Sequence, residues 1–246
     1  SLPFRAVTPG SVNFEGRQSG PTWESFTGAF LFADASGFTA LTEALAVHDD
    51  GAERLCDILN GYFGMLISIV TSWGGDIVKF AGDAMLCSWQ LPKKGEEGAE
   101  DGMNFLDLQR QACLRVAACS FELHGRLHNY EASPGVFLSL HMGMSTGEVI
   151  GMHAGGIFNR WEYLQFGPPL DDIGIAEPAA ACGETVASPA AWELIKGEVE
   201  GEGCSGGGPA EERSFMIMKR FKKGGSATPG DAHQFDKKII CQQVLL

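Results

Sequence analysis

No two of the seven cysteines (Cys56, Cys87, Cys113, Cys119, Cys182, Cys204 and Cys241) form a CxxC pair, and an odd number cannot all close into disulfides. This argues against a disulfide framework or a structural zinc site and for reduced thiols in a cytoplasmic setting. Cations are scarce as well: 18 Lys+Arg stand against 31 Asp+Glu, a formal net charge of -13. Such a charge repels phosphate backbones and argues against nucleic-acid binding; a nucleotide would need metal cations to bridge it to the chain. Long apolar runs are missing too. The longest, Ile58 to Trp73, holds 16 residues and includes Asn60, Ser68, Thr71 and Ser72, too short and too polar for a membrane span. The opening Ser1-Leu2-Pro3 has no charged-then-apolar signal pattern, so a soluble piece of a longer chain is expected. What is present, 246 residues with 44% hydrophobic content despite 33 glycines, suits one large globular domain or a domain with an extension.

Residues 1–24 are rich in Pro, Gly and Ser without periodicity and read as an extended lead-in. The short apolar run Ala29-Phe30-Leu31-Phe32-Ala33 suits a strand buried on both faces, ended by Asp34. Ser36-Gly37-Phe38-Thr39 then opens a helix with Phe38, Leu41 and Leu45 on one side. From Gly51 a longer helix places Leu55, Ile58, Leu59, Tyr62, Phe63, Leu66, Ile69, Val70 and Trp73 at 3–4 spacing, until Gly74-Gly75 stops it. Ile77 to Phe80 and Ala84 to Trp89 flank Ala81-Gly82-Asp83, the pattern of a hairpin. Lys93 to Gly102 reads as an exposed loop, followed by a helix from Phe105 to Leu127. Val136 to Met144 and Gly147 to Met152 read as two strands, with Tyr163 to Phe166 as a further one. A small-residue helix is expected over Ile173 to Cys182 after Pro168-Pro169. Val186-Ala187 then leads through Ser188-Pro189 to a short helix ending near Lys196. Beyond Gly197, glycine-rich tracts surround one strand, Phe215 to Phe221. The expected organisation is a lead-in (1–24), a main domain (25–197) and a Gly-rich extension (198–246). The expected class is α+β, a mainly antiparallel sheet with helices packed on it.

Two acidic residues occupy special places. Asp34 lies at the carboxyl end of the buried strand and Asp83 at the hairpin tip, 49 positions apart (83 minus 34). In an antiparallel sheet these ends can be neighbours. Two such carboxylates repel unless a cation lies between them, and Mg²⁺ takes oxygen ligands of this kind along with phosphates. A turn Asp and a helix-capping Asp would look the same in sequence, and spacing leaves both readings open. The segment Ala35-Ser36-Gly37-Phe38-Thr39 adds free backbone N–H groups at a helix N-terminus, a cradle for anions. Capping by Ser36 is compatible with such a cradle.

The strings Phe32-Ala33-Asp34-Ala35-Ser36-Gly37-Phe38-Thr39 and Gly75-Asp76-Ile77-Val78-Lys79-Phe80-Ala81-Gly82-Asp83-Ala84 resemble the two metal-site motifs of class III nucleotidyl cyclases. The intervening Gly51-Ala52-Glu53-Arg54-Leu55 and Ile58-Leu59-Asn60 resemble the first catalytic domain of the soluble, bicarbonate-responsive adenylyl cyclases. The similarity runs from Phe26 to Lys196. Diguanylate cyclases also carry a GGD but not the continuation DIVKFAGD. The resemblance implies a ferredoxin-like fold with a βαββαβ core, and an adenylate cyclase, a phosphorus–oxygen lyase. It implies two divalent cations, Mg²⁺ or Mn²⁺ with Ca²⁺ admissible, held by Asp34, Asp83 and the carbonyl of Ala35. The amides of Ser36, Gly37, Phe38 and Thr39 would cradle the phosphates of ATP.

Departures from the family pattern qualify this. Class III sites lie between two cyclase domains, one of which gives a transition-state Asn and Arg from the helix after a Gly-x-x-[Val/Leu] turn. Here that turn is Gly167-Pro168-Pro169-Leu170, and the two positions hold Asp171 and Ile175. Asp has the wrong charge and Ile none, so the electrostatic stabilisation a transition state needs would be missing from a homodimer. The chain alone is expected to be nearly inactive and to need a complementary cyclase domain in the same or another chain. Lys79 corresponds to a regulatory-anion lysine, with bicarbonate as the ligand, but its Arg companion position holds Gly174; a plain surface lysine is the other reading. His141 stands where relatives have a Lys or Arg on the phosphate side; an ordinary strand His is the alternative. His124 and His128 sit four apart on a helix without a third ligand. The alternative functions are a non-catalytic regulatory cyclase-homology domain binding nucleotide or bicarbonate, and half of a guanylyl cyclase.

Overall fold

The computed structural model describes residues 22–92, 104–155, 161–204, 215–225 and 227. Side-chain alternation along the first strand, β1 (Thr22–Ser36), sets the two faces of the sheet. Ala29, Leu31, Ala33 and Ala35 enter the main core, whereas Phe26, Phe30 and Phe32 join a second apolar cluster on the other face. β1 is longer than the apolar run suggests: it starts at Thr22 and continues through Asp34 to Ser36, because β5 pairs with it along its whole length.

The helical layer follows from amphipathic periodicity. α1 (Phe38–Leu45) and α2 (Gly51–Ser72) have the expected bounds, and α2 buries Tyr62, Leu66, Ile69 and Val70. By length and hydropathy α2 is the one described helix that could cross a bilayer, yet that face is part of the core. β2 (Asp76–Ala81) and β3 (Ala84–Gln90) form the expected hairpin, closed by Gly82 at φ 69 and by Asp83. α3 (Phe105–Leu127) packs beside α2; the expected loop at Lys93 to Gly102 lies outside the described residues.

β4 (Tyr130–Ser133) pairs with the start of β5 (Val136–Gly155), a single strand where two were expected. Ser145-Thr146-Gly147 looks like a break in sequence, but the ladder to β1 continues through it, with Gly147 opposite Gly28. Gly147 has φ 151, and a Cβ there would meet the Pro169 ring at 2.9 Å. β6 (Trp161–Phe166) pairs with the far end of β5. α4 (Pro168–Ala176) begins and ends earlier than expected, because both prolines occupy its first turn, where no N–H is needed, and Pro178 follows its end. β7 (Thr185–Ala187) and α5 (Pro189–Ile195) follow, the latter capped by Ser188, whose Oγ accepts from the Ala191 amide.

The chain then forms two strands where one was expected, β8 (Val199–Gly203) and β9 (Met216–Phe221). The glycines that hid β8 serve packing: a Cβ on Gly201 would lie 2.6 Å from the Trp192 ring. The sheet order is β2-β3-β1-β5-β7-β9-β8, with β4 and β6 attached to β5, and only the β5–β7 pairing is parallel. The expected α+β class and mainly antiparallel sheet are therefore present, with β1, β2, β3 and β5 as the βαββαβ core. α1, α2 and α3 cover one face. On the other, α4 sits over Phe26, Phe30 and Val149 through Ile173 and Leu170, and its C-cap, Glu177, reaches His141 beside Asp34.

Candidate active site

The sheet register brings the two sequence-predicted aspartates together. Asp34 is paired with Ala84 of β3, so Asp83, one residue earlier, stands beside it at the same end of the sheet. The two carboxyl groups interact: burial, and then the charge of Asp83, raise the Asp34 pKa above its ordinary value. His141 and a hydrogen bond from the Ala35 amide pull in the opposite direction.

Immediately after Asp34 the chain turns from strand into helix. Ser36 ends β1, and Gly37, at φ 106, is the N-cap of α1 without any side-chain cap. Ser36 does not cap the helix; its Oγ donates to the Ser139 carbonyl at 3.4 Å. The first amides of α1, at Phe38 and Thr39, therefore have no side-chain acceptor in front of them. Only glycine fits at position 37: its φ is left-handed, and a Cβ would lie 2.4 Å from the Phe137 carbonyl oxygen. Phe38 anchors the first turn by stacking on Phe63 at 5.9 Å. The exposed thiol of Cys182 lies 3.6 Å from Ser36 Oγ, a proximity that sequence offered no sign of.

His141 lies directly across from Asp34 on β5, the neighbour on the other side from β3. Its Nε2 is 3.3 Å from Asp34 Oδ2 and 2.7 Å from Glu177 Oε1. Glu177 is the C-cap residue of α4; the helix expected over Ile173 to Cys182 runs straight through it, which hides its place at the site. Among the described residues no Lys or Arg forms an ion pair with Asp34, Asp83 or Glu177.

Residues 26–184 match the family described as the adenylate and guanylate cyclase catalytic domain. The chain belongs to this family. Over 177 residues, 71% of its length, it is 34% identical to adenylate cyclase type 10 of Oryctolagus cuniculus and 33% identical to that of Homo sapiens. It spans 10% of the length of these curated relatives. The cyclase fold is shared with the adenylyl cyclase CyaB from P. aeruginosa, with TM-score 0.62 and 22% identity, covering 82% of this chain and 98% of that one. It is shared as well with the guanylate cyclase domain of RhGC from Catenaria anguillulae, solved in complex with GTP, with TM-score 0.63 and 15% identity, covering 81% of this chain and all of that one.

The remaining sequence-predicted positions of the cyclase domain fall in two groups. Lys79 is exposed on β2, paired with Leu86 and so on the same sheet face as Phe32 and Asp34. Asp171, Gly174 and Ile175 are all exposed along α4. The Arg companion position of Lys79 is thus a bare glycine on the helix surface, and a two-cation clamp is not assembled from these residues. His124 and His128 lie together, ring centroids 6.1 Å apart. His124 Nε2 contacts Thr185 Oγ1 at 2.9 Å, and burial with the neighbouring His128 lowers its pKa to about 4.

Proposed function

We propose that this cyclase domain supplies the metal- and triphosphate-binding half of an adenylyl cyclase site. That site forms cyclic AMP and pyrophosphate from ATP, with a second cyclase domain, in the same or another chain, completing it. The observation that carries this reading is the meeting of Asp34 and Asp83 at one end of the sheet, beside the glycine-turned N-terminus of α1.

The donor set fits divalent cations. Two carboxylates, Asp34 and Glu177, meet the His141 imidazole, and a third, Asp83, stands beside Asp34, with no ion-paired Lys or Arg among the described residues; burial, and then the Asp83 charge, raise the Asp34 pKa. Asp34, Asp83 and the Ala35 carbonyl would hold two ions, whose chemistry is to lower the pKa of the ribose 3'-hydroxyl and to neutralise the departing pyrophosphate. The chain's own groups do the rest. The amides of Ser36 to Thr39 orient the phosphates, helped by the positive end of the α1 dipole. A hydrogen bond from the Ala35 amide favours the ionised Asp34 carboxylate, against burial and the Asp83 charge. Phe38, stacked on Phe63, keeps the cradle rigid.

ATP as the nucleotide is supported by the likeness to adenylate cyclase type 10, while purine selection belongs to the completing domain. Asp171 and Ile175 occupy the positions from which a transition-state Asn and Arg would act, so the chain alone is expected to turn over very little. The test is cyclic AMP formation by the purified chain with Mn²⁺, with and without a complementary cyclase domain. Robust activity without that domain would overturn the half-site reading. Unchanged activity of the paired enzyme after Asp34→Ala would overturn the metal reading.

A further inference from the structure

We infer that Asp34, His141 and Glu177 form a mixed nitrogen–oxygen centre that takes a divalent first-row transition metal in preference to Mg²⁺ or Ca²⁺. This rests on the reading of Asp34 as a metal ligand, and assigns it two further partners, His141 and Glu177.

One candidate ligand atom from each residue lies within 4.8 Å of the others. His141 Nε2 stands 3.3 Å from Asp34 Oδ2 and 2.7 Å from Glu177 Oε1. Neighbouring ligands bound at about 2.1 Å are about 3.0–3.4 Å apart, so these separations need little adjustment to close on one ion. The three residues come from different elements: β1, β5 and the C-cap of α4. The fold makes room for the third. Gly143 lies two residues beyond His141 on the same face of β5, and a Cβ there would meet Glu177 at 2.7 Å from its N and 3.0 Å from its Cα. The missing side chain lets the end of α4 rest directly on the strand, which brings the Glu177 carboxylate to His141.

Electrostatics point the same way. Glu177 sits at a helix C-terminus, where the peptide dipoles disfavour a carboxylate. Asp34 and Asp83 are close enough for the charge of one to raise the pKa of the other. Among the described residues His141 is the one ion-pair partner of both Asp34 and Glu177, and its Nδ1 has no hydrogen-bond partner. Without an ion, Nε2 is therefore the nitrogen that donates to the two carboxylates; an ion bound between them would take the place of that proton and use the Nε2 lone pair. Mg²⁺ and Ca²⁺ select oxygen donors, whereas an imidazole among carboxylates suits Mn²⁺, Fe²⁺ or Zn²⁺.

The experiment is a Mn²⁺ titration of the whole chain without nucleotide, followed by electron paramagnetic resonance of free Mn²⁺, with pulsed measurement of ¹⁴N coupling to the bound ion. The expected result is a site with ¹⁴N coupling that excess Mg²⁺ does not displace. His141→Gln should abolish the coupling and weaken binding at least about tenfold. Glu177→Gln should weaken binding to a similar degree while retaining the coupling, and Gly143→Ala should behave like Glu177→Gln. Far-UV circular dichroism and thermal melts identify any variant that fails to fold, and the Glu177 and His141 variants test the site independently from different elements. Bound Mn²⁺ without ¹⁴N coupling, and with affinity unchanged in both variants, would overturn the inference and leave an intramolecular ion pair only. If Asp83→Asn weakens Mn²⁺ binding in that case, the Asp34–Asp83 reading survives alone. If Asp34→Asn and Asp83→Asn also leave Mn²⁺ binding unchanged, both readings fall.

Discussion

At the scale of single residues, the groups that would serve chemistry lower the stability of the fold. Burial and the Asp83 charge hold the Asp34 pKa above its ordinary value, so its stabilising contribution exists at low pH and is lost as pH rises through that raised pKa. Asp34→Asn removes the penalty. In EDTA at neutral pH the variant should melt above the native chain, while cyclase activity in the paired enzyme disappears; a lower melting temperature would contradict this. His124 acts with the opposite sign. Its pKa is lowered from 6.5 to about 4, so the folded state keeps it neutral. Stability is complete above about pH 6.5 and declines as pH falls toward 4, because the unfolded chain takes up the proton first. His124→Gln keeps a polar group for Thr185 but cannot titrate. It should reduce the acid sensitivity of denaturant stability by about 2 kcal/mol near the middle of that window.

At the scale of elements, the site depends on two joints. The first is the β1–α1 turn at Gly37, where φ is 106 and the space for a Cβ is taken by the Phe137 carbonyl. Gly37→Ala should destabilise the fold by about 1–3 kcal/mol from backbone strain, before any clash is counted, and a thermal melt would read it. The second is the end of α2, where Gly75 meets the Trp89 ring: a Cβ would lie 2.5 Å from it, and Trp89 Nε1 donates to the Trp73 carbonyl at 2.9 Å. Gly75→Ala should loosen the β2–β3 hairpin that carries Asp83, at a cost of about 1–3 kcal/mol for overpacking. Elements with a clear period were legible in sequence: α2, α3 and the β2–β3 hairpin have the bounds their apolar spacing suggests. β5 and β8 were not. Ser145-Thr146-Gly147 and the glycines of β8 carry turn-like composition, and only pairing with β1 and β9 makes them strands.

At the scale of the whole molecule, the sheet has one face under α1, α2 and α3 and another only partly covered by α4. Phe32, Leu86, Lys79 and the carboxylates lie on that second face, and Ile175 of α4 is 39% exposed. A completing cyclase domain would cover this region. Ile175→Glu places a charge on an already exposed position, so the chain should keep its melting temperature while titration with the complementary domain yields much less cyclic AMP. Equal activation of native and variant chains would show that the partner docks elsewhere.

The sequence by itself determined the α+β class, the hairpin that presents Asp83, the helix that follows Asp34 and the family to which the chain belongs. Each of these is written in local periodicity or in short strings whose order along the chain is enough. Only the tertiary structure decided which residues surround Asp34. Its neighbours come from β3, β5 and the end of α4, up to 143 positions away (177 minus 34). Strand register and the side-chain-free surface of Gly143 place them there. Register is a property of pairing, not of any one segment, so Glu177 gave no sign of itself until the strands were side by side.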